Sequence, residues 1–187
     1  MSGIATKPMT IAEFDKLDLP NDRKWELHNG ELVEMAFPAV IHKRLQRRSS
    51  NLLELAYPAA DVLEEYPYQI EETNDKRSAD VGMTTKERGR AANEKGALVG
   101  APELVVEVLS PSNTVPELKR LRRLCFAHGT LVFLTLDPDD NTVEVHLTPG
   151  KPDCVLGIQD TLQLALFGEQ KTIPVAAIFR GITLAES

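Results

Sequence analysis

The segment Gly100–Thr114, GAPELVVEVLSPSNT, places a single carboxylate inside an apolar run. From Leu104 to Leu109 every residue is apolar except Glu107, a pattern typical of a buried strand with one charged position. Side chains alternate along a strand, so Glu103 and Glu107 share one face of it. A buried carboxylate is costly unless it is paired or holds a metal ion. The rest of the sequence therefore has to supply the partner of Glu107.

The sequence before Gly100 carries helix and strand signals. Asn29-Gly30 supplies the positive φ angles of a tight turn, which predicts a hairpin between the alternating segments on either side. The other predicted elements are a capped helix from Thr10 to about Leu17, a helix over Val40–Tyr57, and strands at Asp61–Ile70 and Ser78–Met83. Between Thr85 and Ala101, Gly, Ala, Lys and Glu recur without a period, which predicts a mobile surface loop.

A second set of elements follows the Glu107 strand. Ser110–Asn113 predicts a turn into a helix from about Val115 to His128. Two further strands are predicted on either side of the turn Asp137–Asn141, then short strands near Cys154–Ile158 and Leu162–Leu166 and a short helix over Pro174–Phe179. This order predicts a mixed α/β fold, in which helices flank a mixed β-sheet.

The composition excludes several classes of protein. The chain has 187 residues and is 42% hydrophobic, which suits one domain with a core. A net charge of −7 argues against a protein that coats nucleic acid nonspecifically. No apolar stretch approaches the ~18 residues that cross a bilayer, and the polar N-terminus lacks the apolar core of a signal peptide. We expect a soluble cytoplasmic protein, with a loose tail at residues 1–8 and a single domain at residues 9–187.

Positive charge is nevertheless concentrated in two blocks. Eight of the 21 Lys and Arg residues lie in HKRLQRR (residues 42–48) and KRLRR (residues 119–123). Either block can be a solvated helix face, or it can contact nucleic-acid phosphates. On the second interpretation the nucleic-acid-binding residues are Lys43, Arg44, Arg47, Arg48, Arg120 and Arg123. His42, beside the first block, is interpreted as a surface histidine, with contact to phosphate as the alternative.

Two more carboxylates lie in apolar surroundings, Asp80 in SADVGM and Glu26 between Trp25 and Leu27. If their strands neighbour the Glu107 strand, the three carboxylates converge and repel one another unless a divalent cation neutralises them. Oxygen ligands suit Mg²⁺ or Mn²⁺ rather than zinc. The alternative for each residue is structural: Glu107 at an exposed strand edge, Asp80 in a turn, Glu26 paired across the hairpin.

The ordered segments WELHNGELVEM, RSADVG, APELVVEVLSPS, AHG and LTLDP resemble the Uma2-type family, a bacterial branch of the PD-(D/E)xK restriction-endonuclease-like superfamily. The resemblance runs from about Thr10 to Phe179 and implies a restriction-endonuclease-like sheet. It also implies that Asp80 and Glu107 hold Mg²⁺ for hydrolysis of a DNA phosphodiester, and that Glu26 assists as an outer ligand.

The sequence departs from the family pattern at the catalytic cation. Leu109 stands where a lysine can follow the glutamate, and Leu121 and Cys125 stand where the family commonly has K-x-x-x-Y on the next helix. Lys119 and Arg120 lie within a turn of these positions, and Lys119 is the candidate cation, because its compact ammonium can approach a water closely. Arg120 or Arg123 can instead clamp a phosphate.

Two functions follow from these observations. The first is a Mg²⁺-dependent DNA endonuclease that uses Asp80, Glu107, Glu26 and Lys119. The second is the same fold with an eroded site, acting as a nucleic-acid or protein-binding module. A homodimer would supply the two active sites that cutting both strands requires, although the sequence shows no dimer surface.

Overall fold

The computed structural model describes residues 7–110 and 114–181. Most of the predicted tail, part of the predicted Ser110–Asn113 turn and the end of the predicted domain lie outside these residues. The helices are α1 Ile11–Phe14, α2 Val40–Ala56, α3 Lys86–Lys95, α4 Val115–Ala127 and α5 Val175–Phe179. The strands are β1 Lys24–His28, β2 Glu31–Met35, β3 Ala60–Ile70, β4 Asp75–Thr85, β5 Leu98–Val99, β6 Leu104–Val108, β7 Val132–Asp137, β8 Thr142–His146, β9 Cys154–Leu156, β10 Thr161–Leu166 and β11 Glu169–Pro174.

The main sheet is mixed and branches at β4. Its order is β2-β1-β4-β6-β7-β8-β9. Strand β3 pairs with the other edge of β4, and β5 pairs with β3. Strands β6 and β7 are parallel, whereas β4 is antiparallel to β1, β3 and β6. The mixed sheet flanked by helices confirms the predicted fold class.

One edge of β4 is shared by two strands that then diverge. Strand β1 pairs with it at Leu27 and Lys76, and β6 pairs with it from Val81 to Met83. Between these two pairings, this edge of β4 has no strand partner in the described sheet. The fork therefore leaves backbone N–H groups of Ser78 and Asp80 for side chains to satisfy, since buried N–H groups are rarely left unpaired.

The β3–β4 ladder is interrupted at the same level. Its register is continuous from Ala60 and Thr85 to Glu64 and Val81, and it resumes at Tyr66 and Ala79. Glu65, which would face Asp80, has a left-handed φ of 51°. Because a non-glycine residue rarely adopts that conformation, Glu65 marks a local distortion beside the fork.

Two apolar clusters cover the faces of the sheet. One packs α2 and α5 against β4, β6 and β7 and contains Leu45, Leu53, Val106 and Leu134. The other packs α4 against Val105 and Phe133. These clusters confirm the alternation predicted for β6, whose even-numbered residues face α2 and whose odd-numbered residues face α4.

Several predicted elements are confirmed and others are wrong. The hairpin, α2 and α4 occur as predicted, and Thr10 and Glu13 form the predicted capping box. The predicted loop over 85–101 contains α3, which Thr85 caps at its start and Gly96, with a φ of 79°, ends. The strand β11 was not predicted, and β4 is longer than expected. No helix in the described part of the chain is long and apolar enough to span a membrane.

Candidate active site

Two predicted carboxylates meet the open N–H groups at the fork of the sheet. Ser78 N donates to Glu26 Oε1 at 3.1 Å, and Asp80 N lies 3.5 Å from Glu107 Oε1. Glu26 is only 4% exposed, and its other oxygen lies 2.8 Å from His28 Nε2. The structure thus brings Glu26, Asp80 and Glu107 together where β1 and β6 diverge from β4.

Asp80 is fixed by contacts on both carboxylate oxygens. Val108 N donates to Oδ2 at 2.7 Å, and Gln46 Nε2 donates to Oδ1 at 2.8 Å. His42 Nε2 lies 2.9 Å from the same Oδ1. Since Val108 follows Glu107 directly, β6 supplies one carboxylate and also positions the other.

Of the three carboxylates, Glu107 has no direct cationic partner among the described residues, whereas Glu26 and Asp80 each have one. Burial raises its pKa well above the ordinary value of 4.5, and the charges of Asp80 and Glu26 raise it further. The N–H of Asp80 and the ammonium of Lys24 lower the pKa, but by less. The site therefore favours a protonated Glu107 until additional positive charge arrives.

Lys24 and Glu65 form an ion pair beside the carboxylates. Lys24 Nζ contacts Glu65 Oε2 and lies 3.4 Å from Glu26 Oε1. Burial lowers the pKa of Lys24, but Glu26 and Glu65 outweigh that effect and raise it above 10.5. Burial raises the pKa of Glu65, whereas hydrogen bonds from Lys24, Lys43 and Gln46 lower it to about 2. Both groups are consequently charged at neutral pH.

The available donor atoms fit a hard divalent cation. Besides Asp80 and Glu107, Gln46 is fully buried and its Oε1 has no hydrogen-bond partner among the described residues. Both carboxylate and amide oxygens suit Mg²⁺, which is commonly held through one or two carboxylates and retains waters. Within residues 7–110 and 114–181, no group of three or more His, Cys, Asp or Glu side chains is arranged as a metal cage. The arrangement therefore suits an open site rather than a closed one.

The predicted cations are divided between several environments. Lys43 Nζ donates to Glu65 Oε1 at 2.6 Å, and Arg48 contacts the carbonyl oxygen of Arg180. Arg44 and Arg47 are exposed on α2, and Arg120 and Arg123 are exposed on α4. Lys119 is also exposed and lines a cavity along α4. Among the described residues, no ion pair joins Lys119 to a carboxylate, so its predicted role stays a prediction.

Two of the positions that depart from the family pattern, 121 and 125, lie in apolar packing. Cys125, which stands where the family commonly has tyrosine, is fully buried. Its Sγ lies 3.7 Å from the hydroxyl of Tyr68, a residue of β3. Burial raises the pKa of Cys125 to about 12, so the thiol is neutral. Tyr68 and Cys125 therefore belong to one buried cluster, and Leu121 packs against it.

Sequence reasoning missed several residues at the site and misplaced one. The interpretation of His42 as a surface histidine is wrong, because its side chain is 12% exposed and contacts Asp80. Lys24 was available as a signal, since it shares a strand face with Glu26 two residues later. Gln46 could have been found as a polar residue beside the apolar stripe of α2. Nothing local indicates Glu65, whose role depends on its distortion.

The chain is similar in fold and in sequence pattern to known proteins. In a structure comparison, the chain is similar to a putative nuclease belonging to DUF820 from Anabaena variabilis, with a TM-score of 0.76 and 20% sequence identity. The match covers 94% of this chain and 100% of that one, which shows a shared fold. A search of curated proteins finds no match. The model of the Uma2 family, described as "Putative restriction endonuclease", matches residues 11–185. The chain therefore belongs to the Uma2 family of restriction-endonuclease-like proteins.

Proposed function

We propose that the protein is a Mg²⁺-dependent endonuclease that hydrolyses phosphodiester bonds of DNA. The observation that carries this proposal is the meeting of Glu26, Asp80 and Glu107 at the fork of the sheet, with Glu107 left short of positive charge. A purely structural cluster would gain by pairing such a carboxylate with a lysine or arginine. Membership in the Uma2 family supports a nucleic-acid substrate.

Asp80 and Glu107 would hold the Mg²⁺ or Mn²⁺ ion, with Gln46 Oε1 as a further oxygen donor. When bound, the ion supplies an activated water and neutralises charge on the scissile phosphate. The chain itself fixes Asp80 through Val108 N and Gln46 Nε2, which pre-orients one carboxylate. Glu26, which accepts a hydrogen bond from Ser78 N, would assist as an outer ligand of the ion. A homodimer of such sites would allow both strands to be cut.

Two lysines are candidates for the catalytic cation that Leu109 does not supply. Lys24 lies 3.4 Å from Glu26, and its charge acts on Glu107. Lys119 is on α4 and lines the neighbouring cavity. Lys24 has the stronger support, because its ammonium already lies among the carboxylates. Lys119 would need to reach them from the exposed face of the helix.

A non-catalytic nucleic-acid or protein-binding module is the second candidate function. It is favoured by the apolar residues at 109, 121 and 125, which leave the family's usual cation and tyrosine positions unfilled. Under this alternative, DNA binding would survive the loss of Asp80.

Nicking of supercoiled plasmid with and without Mg²⁺ separates the two functions. We expect Mg²⁺-dependent nicking by the wild type and a loss on the order of 10²- to 10³-fold in Asp80→Ala. Asp139→Ala, in an exposed turn, is the matched control and should nick at the wild-type rate. Far-ultraviolet circular dichroism would establish that both variants fold.

Either of two results would contradict the endonuclease proposal. Nicking by Asp80→Ala at the wild-type rate would remove Asp80 from the chemistry. A wild-type protein that binds DNA but does not nick it with Mg²⁺ or Mn²⁺ would favour the binding module.

A further inference from the structure

A cavity of about 580 Å³ lies between α4, the sheet and residues 149–152. Its size falls within the ~300–1,000 Å³ typical of small-molecule sites. Leu109, Val115 and Leu118 form part of an apolar wall. None of the proposed catalytic contacts described above uses this space, apart from the alternative role of Lys119.

The cavity concentrates positive charge in an otherwise acidic protein. Lys119, Arg122, Arg123 and Lys151 line it, and Glu144 is the single carboxylate among its lining residues. Arg122 is half-buried, and its Nε has no hydrogen-bond partner in the part of the chain that the structure describes. Burial lowers the pKa of Arg122, while Glu144 raises it. Holding four cations together is unfavourable unless an anion joins them.

A buried hydroxyl at the cavity also lacks a partner. Thr135 is 2% exposed and lines the cavity, yet its Oγ1 has no hydrogen-bond partner within residues 7–110 and 114–181. A buried hydroxyl left unsatisfied costs about 1–3 kcal/mol. Thr135 therefore points to a ligand that accepts or donates a hydrogen bond there.

The cavity adjoins the candidate active site in a fixed register. Thr135 is paired with Glu107 across β6 and β7, and with Glu144 across β7 and β8. Paired residues share a face of the sheet, so the cavity begins one strand away from Glu107. A group bound in it would lie next to a phosphodiester held at the carboxylates.

We infer that this cavity binds a phosphate group of a nucleotide, with Arg122, Arg123 and Thr135 as its principal contacts. Guanidinium groups match phosphate geometry in a bidentate way, and the apolar wall suits a sugar or base. The phosphate can belong to a DNA strand that continues from the active site or to a free nucleotide. The inference rests on the proposed nuclease function only for the first of these sources.

Binding measured in EDTA tests the inference without hydrolysis. The probes are a fluorescein-labelled DNA duplex, followed by anisotropy, and deoxyadenosine monophosphate, followed by calorimetry. The double variant Arg122→Gln/Arg123→Gln should bind about tenfold more weakly, and its salt slope for duplex should fall by about 2. Arg90→Gln/Lys95→Gln removes the same charge from the exposed face of α3 and is the matched control.

Weaker binding of the duplex by Arg122→Gln/Arg123→Gln would show that the cavity holds a phosphate of the DNA strand. Weaker binding of the mononucleotide alone would show that it holds a free nucleotide. Equal weakening by both double variants, or no weakening by either, would overturn the inference. If the wild type nicks plasmid and Arg122→Gln/Arg123→Gln binds both probes as tightly as the wild type, this inference is contradicted and the nuclease function is not. Cavity-dependent binding without nicking would contradict the nuclease function alone.

Thr135→Val provides a second test that does not alter charge. Without ligand it should raise the melting temperature, because a buried unpartnered hydroxyl is removed. Its affinity for the probe that binds should fall at least threefold. Unchanged affinity together with higher stability would show that the hydroxyl contacts no ligand.

Discussion

Glutamates lie on the same face at the two ends of β6, but their surroundings differ in charge. Glu103, just before the strand, forms an ion pair with Arg88 of α3, whose Nη1 lies 2.7 Å from its Oε2. Arg88 also donates to the carbonyl oxygens of Val99 and Ala101. Glu107, at the other end, lies near Asp80 and Glu26 and has a raised pKa.

The difference shows how to distinguish a structural carboxylate from a functional one. An ion pair that also ties down neighbouring carbonyls stabilises the local fold. A half-buried carboxylate beside two others costs stability in the folded protein, and natural proteins commonly retain such costs at functional sites. Variants at each end of β6 should therefore differ in their effects on activity and on stability.

Of the substitutions considered, removal of Lys24, near Glu107, or of Arg88, which pairs with Glu103, should have the largest effects on activity and on stability respectively. Lys24→Gln is expected to lower Mg²⁺-dependent nicking about 10²-fold, because the Lys24 ammonium lies 3.4 Å from Glu26 Oε1. Arg88→Gln should leave the nicking rate per folded molecule within about twofold while lowering the free energy of unfolding by about 1–3 kcal/mol. Single-turnover nicking rates and urea unfolding measure the two quantities.

Lys119→Gln is the matched lysine variant for this comparison. A large loss in Lys119→Gln with full activity in Lys24→Gln would transfer the catalytic role to α4.

Removal of the carboxylate at each end should change stability in opposite directions. Glu107→Gln should raise the free energy of unfolding, without divalent cations, by on the order of 1–2 kcal/mol, because glutamine avoids the cost of protonating a carboxyl group beside two other carboxylates. Glu103→Gln should lower it by a smaller amount, since Arg88 loses its ion pair. Chemical unfolding at neutral pH tests the signs, and two changes of the same sign would contradict the comparison.

The pH dependence provides an internal check on Glu107. Its pKa in the folded protein is raised, so the folded state binds more protons than the unfolded state above about pH 4.5. Stability contributed by the protonated group is therefore lost as pH rises. The advantage of Glu107→Gln over the wild type should grow between about pH 5 and pH 8, and a constant difference would mean that Glu107 is not perturbed.

Much of the scaffold could be predicted from short-range patterns. Asn29-Gly30 fixes the hairpin, and the apolar period together with Pro58 bounds α2. Alternation in β6 correctly predicts that Glu107 points away from Val106 and Val108. The apolar pattern does not predict helix α3, because the helix buries only Gly89 and Ala92 and its sequence therefore lacks an apolar period. Its signals were the caps, Thr85 and Gly96.

The site was predictable only in part, for a physical reason. The convergence of Glu26, Asp80 and Glu107 follows from strand alternation and from the family resemblance. The contacts of Lys24 with Glu65, and of Gln46 with Asp80, join elements far apart in sequence. They depend on the fork of β4 and on the left-handed Glu65, which no local pattern encodes.

Calorimetric titration of Mn²⁺ into the wild type, Glu107→Gln and Glu103→Gln tests whether Glu107 is a metal ligand. We expect one Mn²⁺ site in the wild type and in Glu103→Gln, and a loss of affinity of at least tenfold in Glu107→Gln. Equal binding by all three proteins, or no binding by the wild type, would contradict the assignment of Glu107 as a metal ligand.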